Sequence, residues 1–280
     1  MKTAIVTDST SYIPMHIRED LDIHMIPLSI VLNGETYKEE VEIDATDFYK
    51  KIQELETLPT TTQPPIGEFE ALYQKLSESY DAVISIHLSS GISGTYQGSV
   101  AAGAAVDGID VYSYDSEISC MAQGFYVIEA AMMARDGKTP EEILARLDEM
   151  KQHLHAYFMV DDLKHLQRGG RLSSAQAVIG SLLNIKPVLH FEDKVIVPFE
   201  KIRTRKKAMK RIADLLGEDV AAGKKLTASI IHANRVEEAA EWKNELEAMY
   251  PSVQFSISYF GPVIGSHLGE GAMGLGWTIR

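Results

Sequence analysis

The sequence predicts an α/β protein built in two halves. Three observations carry that reading. Short apolar runs alternate with longer helical stretches through the first half, the pattern of a mostly parallel sheet with helices on both faces. At 280 residues, with 45% hydrophobic and 24% charged, the chain has the length of roughly two domains of about 140 residues each. Near residue 154 the pattern changes, which divides the chain into domains at 1–153 and 154–280.

Residues 3–7 read as a buried strand closed by polar Asp8-Ser9-Thr10-Ser11. Residues 23–31 form a second β-type run. Asn33-Gly34 is a hairpin signal before Glu35-Thr36-Tyr37, because both residues tolerate the positive φ of a tight turn. Asp44 is placed to cap a helix through about Leu55. Leu58-Pro59-Thr60-Thr61-Thr62-Gln63-Pro64-Pro65 is expected to be a stiff polar loop and no regular element. A helix follows near Gly67 to Ser77, then a strand over 82–88, a helix over 95–106 and a strand over 109–113. Helices fill about 116–135 and 140–153, the second opening on Thr139-Pro140-Glu141-Glu142, a good N-terminus.

In the second half Tyr157-Phe158-Met159-Val160 is a strand. A polar stretch from Arg168 leads to a helix near 175–183, and Lys186 to Glu200 is a hairpin turning at Glu192-Asp193. A basic helix (204–216), a strand (227–231), a helix (236–249) and a strand (253–259) follow. Six glycines between Gly261 and Gly276 rule out a plain helix there on the sequence alone. That segment reads as a backbone-shaping loop and then a last strand.

The formal charge of −13 argues against a general nucleic-acid binder. Residues 201–211 nevertheless hold seven bases and no acid. That run is either a solvated helix face or a patch for a phosphate or an acidic partner surface. The single cysteine, Cys120, leaves no internal disulfide and no cysteine-rich zinc site. Met1 to Asp8 turns polar too soon for a signal peptide, and no apolar run reaches the ~18 residues of a membrane span. The expected location is the cytoplasm.

The most informative segment is Ser89-Ser90-Gly91-Ile92-Ser93-Gly94-Thr95-Tyr96, directly after the 82–88 strand. Ligands of α/β folds sit beyond the carboxyl ends of strands. A helix start there offers free N–H groups and a favourable field for an anion. The serines and Thr95 add hydroxyl donors. The segment reads either as a cradle for a small anionic group or as an ordinary capped turn.

Gly269-Glu270-Gly271-Ala272-Met273-Gly274 matches a dinucleotide fingerprint by letters, but too few residues follow it for a βαβ unit. Gly137-Lys138-Thr139 lacks the earlier glycine of a phosphate loop, since Met132 stands there. Ser93 with His267 and Asp8 is a candidate hydrolase triad. Gly91-Ile92-Ser93-Gly94, however, lacks the residue that a nucleophile elbow places between the serine and the second glycine.

Five segments in order resemble the DegV family over nearly the whole chain, about residues 3–279. They are Val6-Thr7-Asp8-Ser9, Thr61-Thr62-Gln63-Pro64-Pro65, Ser90-Gly91-Ile92-Ser93-Gly94-Thr95-Tyr96, Leu166-Gln167-Arg168-Gly169-Gly170-Arg171-Leu172 and Gly261-Pro262-Val263-Ile264-Gly265-Ser266-His267. The resemblance implies two α/β domains, a mostly parallel three-layer sandwich followed by a mixed-sheet domain, with one long-chain fatty acid held between them. It implies that Thr61 or Thr62, Ser93 and His267 bind the carboxylate. It also implies a kinase partner that phosphorylates the bound acid, with Arg171 and Arg203 serving the acyl phosphate or the docking surface. Pro65 departs from the family's commoner serine and removes one hydroxyl. The expected role is a carrier without chemistry, cofactor or metal of its own. A serine hydrolase and a lipid-responsive regulator are the alternatives.

Overall fold

The structure, a computed structural model, describes residues 2–55, 57–172 and 185–280. The first half runs β1 (Thr3–Asp8), α1 (Met15–Asp20), β2 (Ile23–Ile26), β3 (Ser29–Leu32), β4 (Glu35–Lys38), α2 (Ala45–Ile52), β5 (Thr60–Thr62), α3 (Ile66–Leu76), β6 (Ala82–His87), α4 (Thr95–Ala105), β7 (Asp110–Asp115), α5 (Cys120–Arg135) and α6 (Pro140–Lys151). The second runs β8 (His155–Met159), α7 (Lys164–Arg168), β9 (Val188–Glu192), β10 (Val195–Glu200), α8 (Arg205–Ala221), β11 (Leu226–His232), α9 (Val236–Met249), β12 (Gln254–Tyr259), α10 (Pro262–Leu268) and β13 (Met273–Ile279).

The first sheet is wholly parallel, in the order β2-β1-β6-β7. β1 and β6 are buried along their whole length, so both faces must be apolar. Ile5, Ile84 and Ile86 meet α5 and α6 on one face. Ala4, Val6 and Val83 meet Phe69 and Tyr73 of α3 on the other. The layers are helix, sheet, helix, as expected. The second sheet is mixed, in the order β10-β9-β8-β13-β11-β12, with only β11 and β12 parallel. Ile212, Leu216, Trp242 and Leu246 of α8 and α9 cover one face. Phe158, Leu189, Ile196 and Ile231 on the other face join the main apolar cluster of the first half. One core therefore crosses the proposed boundary at 153–154.

The local structure corrects several expectations. The run 23–31 is two strands in two sheets, because Pro27 has no N–H to continue the ladder. Thr60–Thr62, expected in a loop, is strand β5 and pairs with β3. Threonine is β-branched and suits a strand, and the prolines at 59, 64 and 65 only flank it. The hairpin turns at Asp193-Lys194, one residue later than expected, with both residues at positive φ. The glycine-rich C-terminus contains a helix, α10. Gly265 is there because a Cβ would lie 2.5 Å from the Tyr49 hydroxyl. The glycine serves packing, not a turn. The helix expected near 175–183 lies outside the described residues.

A small antiparallel sheet, β4-β3-β5, supports α10. Just beyond β4, the fully buried Glu39 carboxyl accepts from Ser9 Oγ (2.5 Å), Tyr12 Oη (2.9 Å) and the Val263 N–H (2.7 Å). Glu40 accepts from the Tyr259 hydroxyl, and Tyr49 donates to the Phe260 carbonyl at 2.8 Å. The first half thus grips the segment 259–264 of the second.

Burial raises the Glu39 carboxyl from 4.5 to about 8, against the opposing hydrogen bonds from Ser9, Val263 and Tyr12. In the unfolded chain it ionises at its ordinary value. Its contribution to stability is complete below about pH 4.5 and is lost progressively as pH rises to about 8. Glu39→Gln is expected to flatten that part of the stability–pH profile, read from denaturant midpoints at a series of pH values. An unchanged slope in the variant would place the effect elsewhere.

Candidate functional site

A cavity of ≈ 310 Å³ lies between the halves. Its walls are mostly apolar. Leu88, Ile92 and Ile118 come from the first half and Phe158, Phe191, Ile196, Ile231 and Phe260 from the second. The rings of Phe191 and Phe260 each lie 6.5 Å from that of Phe158, between centroids. Cys120 is a wall residue, and burial pushes its thiol up to about 12, so it is a neutral filler and not a nucleophile.

Six polar residues of the wall adjoin one another through their contacts: Thr61, Thr62, Gln63, Ser93, Arg171 and His267, while Ser119 and Tyr157 lie elsewhere in the lining. The six arrive on four separate stretches of the chain. Thr61 and Thr62 come on β5, and Ser93 from the turn between β6 and α4. Arg171 follows α7, and His267 sits in the last turn of α10. His267 Nε2 is 2.9 Å from Thr61 Oγ1. Ser93 Oγ is 2.9 Å from Thr95 Oγ1 and accepts from the Thr95 N–H at 3.3 Å. Ser93 therefore bonds the first N–H of α4 from just outside its N-cap, Gly94, and lines the cavity. The Arg171 guanidinium donates to the carbonyls of Ile92 and Gly169, which bridges the hydroxyl turn to the end of α7.

Burial, and secondly the Arg171 charge, lower His267 to about 4. Its imidazole is neutral throughout the neutral pH range. It can offer one N–H to a ligand. Two close approaches shape this end. A Cβ on Gly94 would collide with the Gln63 carboxamide, and one on Gly169 with His267 Nδ1.

The candidate triad is not assembled. Asp8 is fully buried and accepts from Thr10 N (3.0 Å), Thr10 Oγ1 (2.6 Å), Leu88 N (2.9 Å) and Gln123 Nε2 (3.2 Å). Its histidine partner is His87, at 3.0 Å, and His87 meets Ser85 at 2.7 Å. That second Asp-His-Ser array is buried and outside the cavity lining. It braces strand ends.

Arg203 is separated from Arg171. It lies on an exposed groove with Lys201, Lys207, Lys210 and Arg211, interspersed with Glu200 and Asp214. The basic run is also less basic than its letters. Arg205 pairs with Glu238 and Asp161, Lys210 with Asp214, and Arg211 with Glu200 and Glu218.

Sequence reasoning missed the residues that fasten the site. Ser89 Oγ donates to the Lys194 carbonyl at 2.6 Å, and Lys194 Nζ reaches Asp115 at 3.0 Å. Asp115 also accepts from the Ser90 N–H and hydroxyl. This latch seats the β9–β10 hairpin, with its wall residues Phe191 and Ile196, on the hydroxyl turn. Its local signal was the hairpin turn, read from the sequence at Glu192-Asp193 and found at Asp193-Lys194. Among the described residues no group of His, Cys, Asp and Glu side chains is placed to hold a metal ion, and no helix is long and apolar enough to cross a membrane.

Residues 2–280 match the family described as "uncharacterised protein, DegV family". The chain is 62% identical to protein DegV of Bacillus subtilis over the full length of both. The crystal structure of DegV from Bacillus subtilis, there called a fatty acid binding protein, superposes with a TM-score of 0.96, both chains being fully covered. A DegV family protein of Thermus thermophilus, described by its fatty acid binding, is 32% identical with a TM-score of 0.93, again with full coverage of both chains.

The Gly169 contact gives a test of the polar cluster. Gly169→Ala keeps an ordinary backbone conformation, with φ at −70°, but its methyl displaces the His267 ring from Thr61. It is expected to weaken ligand binding about tenfold, the size of one lost hydrogen bond to a charged group, with little loss of thermal stability. Calorimetric titration and a melting curve on the same variant check both halves of the expectation.

Proposed function

The chain belongs to the DegV family, and from that premise and the geometry of its cavity we propose that it binds one long-chain fatty acid. The observation that carries the reading is one cavity with mostly apolar walls and a group of hydroxyls beside a neutral imidazole. Each methylene buried against that wall contributes about 0.8 kcal/mol. The carboxylate needs replacements for its lost water. Thr61 or Thr62, Ser93 and His267 supply hydrogen-bond donors of neutral charge, and Arg171 adds a cation at the same end.

The protein acts as a carrier in this reading. The engagement of Asp8 by His87 and of His267 by Thr61 favours that role over a Ser93 hydrolase. The carried acid is presented to a kinase partner that phosphorylates its carboxylate. Thr62 is exposed and Ser93 half-buried, so the polar end lies near the surface where a partner reaches it.

Lipid extracted from the purified, denatured protein and identified by mass spectrometry tests the reading. A fatty acid in near-equal molar amount is expected. No lipid, together with no uptake by stripped protein, would sink it. Ser93→Ala is expected to keep the fold and lose ten- to hundred-fold in affinity, about 1.5–3 kcal/mol for a hydrogen bond to a charged group. Unchanged affinity in the titration would leave Ser93 as a cap alone. A Ser93-dependent burst from an activated ester would favour the hydrolase.

Arg203 forms no ion pair among the described residues, and its groove is open to a partner. Arg203→Ala is expected to retain bound acid but to reduce acyl phosphate formation with the cognate kinase. Added salt should reproduce part of the defect, since exposed charges are screened beyond about 8–10 Å. A variant equal to wild type in both assays would make the groove a solvated face.

A further inference from the structure

The Glu39 carboxyl lies outside the cavity lining, yet its partners lead to it. Helix α10 supplies Val263, Ile264, His267 and Leu268 to the wall. At the start of that helix the Val263 N–H donates to Glu39 Oε1 at 2.7 Å. Tyr12 Oη donates to the same oxygen at 2.9 Å and accepts from the Ile264 N–H at 3.3 Å. At the helix's other end His267 Nε2 meets Thr61 Oγ1 at 2.9 Å.

Both anchor points belong to one small sheet. The Glu39 N–H bonds the Leu28 carbonyl beside β3, and Thr61 pairs with Ile30 on β3's other edge. Ser9 Oγ closes the first anchor by accepting from the Leu28 N–H and donating to Glu39. Helix α10 is therefore strung between the two flanks of β3. From Val263 to His267 is about 6 Å along a helix axis, so a slip at one end appears at the other. A buried carboxyl is costly unless donors surround it, and here the donors are the register marks of α10.

We propose that Glu39 is a positioning residue of the ligand site, fixing the register of α10 so that His267 meets Thr61 where the carboxylate binds. This rests on the fatty acid reading above and adds the residue that sets the geometry of its polar end.

The test is a mutant cycle on delipidated protein titrated with palmitate. Glu39→Ala is expected to weaken binding about tenfold, the scale of one lost contact to a charged group. Glu39→Gln should restore most of it, because an amide oxygen still accepts from Val263. In a His267→Ala background, Glu39→Ala should cost less than about twofold more, because residues acting through one another are not additive. Tyr12→Phe, a milder change, should show the same dependence on His267 and carries the test if Glu39→Ala does not fold. The ring resonances of His267 in unliganded protein should shift in Glu39→Ala and not in Glu39→Gln. Independent, multiplying losses, or an unmoved His267 ring in folded Glu39→Ala or Tyr12→Phe, would overturn the proposal while leaving the fatty acid reading intact. Wild-type protein that takes up no palmitate would overturn that reading first, and this one with it.

Discussion

Burial of the Asp8 carboxylate at the carboxyl end of β1 is the constraint on which the site's framework rests. A fully buried carboxylate must have its oxygens satisfied, or folding loses several kcal/mol. Its donors come from three places: Thr10 just beyond β1, His87 and Leu88 at the end of β6, and Gln123 on α5. Satisfying one side chain therefore registers two strand ends and a helix. The bond chain continues from His87 through Ser85 to Tyr73, and from Tyr73 to Ser99 of α4. The hydroxyl turn is held at both ends, by Asp8 on Leu88 and by Tyr73 on the helix that follows. Ser93 faces the cavity as a consequence.

The electrostatics of the cavity follow from the same economy of charge. The chain carries −13 overall, and on the proposed function an anionic headgroup is accommodated in spite of it. A buried cation opposite the headgroup would itself need desolvating, and such pairs often gain little. The cluster instead uses hydroxyls and an imidazole that burial keeps neutral. Arg171 contributes positive potential while its guanidinium is occupied by two carbonyls. The arrangement favours an anion without leaving a bare charge inside the protein.

The sequence was legible where chemistry is local. Asn33-Gly34 marks a real hairpin, Asp44 caps α2, and Thr139 with Glu142 forms the capping box of α6. Thr61, Thr62, Ser93, Arg171 and His267 do converge on one cavity. Illegible features depend on contacts across long separations. Glu39 and Val263 are 224 residues apart, and nothing beside Glu39 in the chain announces that it is buried. Thr60–Thr62 became a strand only because β3 offers it an edge. The glycines near Gly265 looked like turn residues, yet Gly265 gives way to Tyr49 from another element. The basic run at 201–211 was readable as a solvated face or as a patch, and the partners of Arg205, Glu238 and Asp161, are remote in sequence.

The wall of the cavity belongs to the apolar cluster that joins the two halves. Ile118, Phe158, Ile196, Phe260 and Val263 are at once core residues and cavity lining. An acyl chain lying against them is continuous with the core, and its methylenes count as core methylenes do, about 0.8 kcal/mol each. The latch at Lys194 and the Glu39 anchor act at different places on the same interface. One seats the β9–β10 hairpin on the hydroxyl turn, and the other seats α10 on the small sheet. A ligand that touches the hairpin, the turn and α10 together binds only when all three are in place. By mass action its binding then favours the joined state by RT ln(1 + [L]/Kd). On the proposed function, ligand affinity and the packing of one half on the other are therefore a single coupled quantity, and residues outside the cavity, Glu39 among them, would enter the affinity through that coupling.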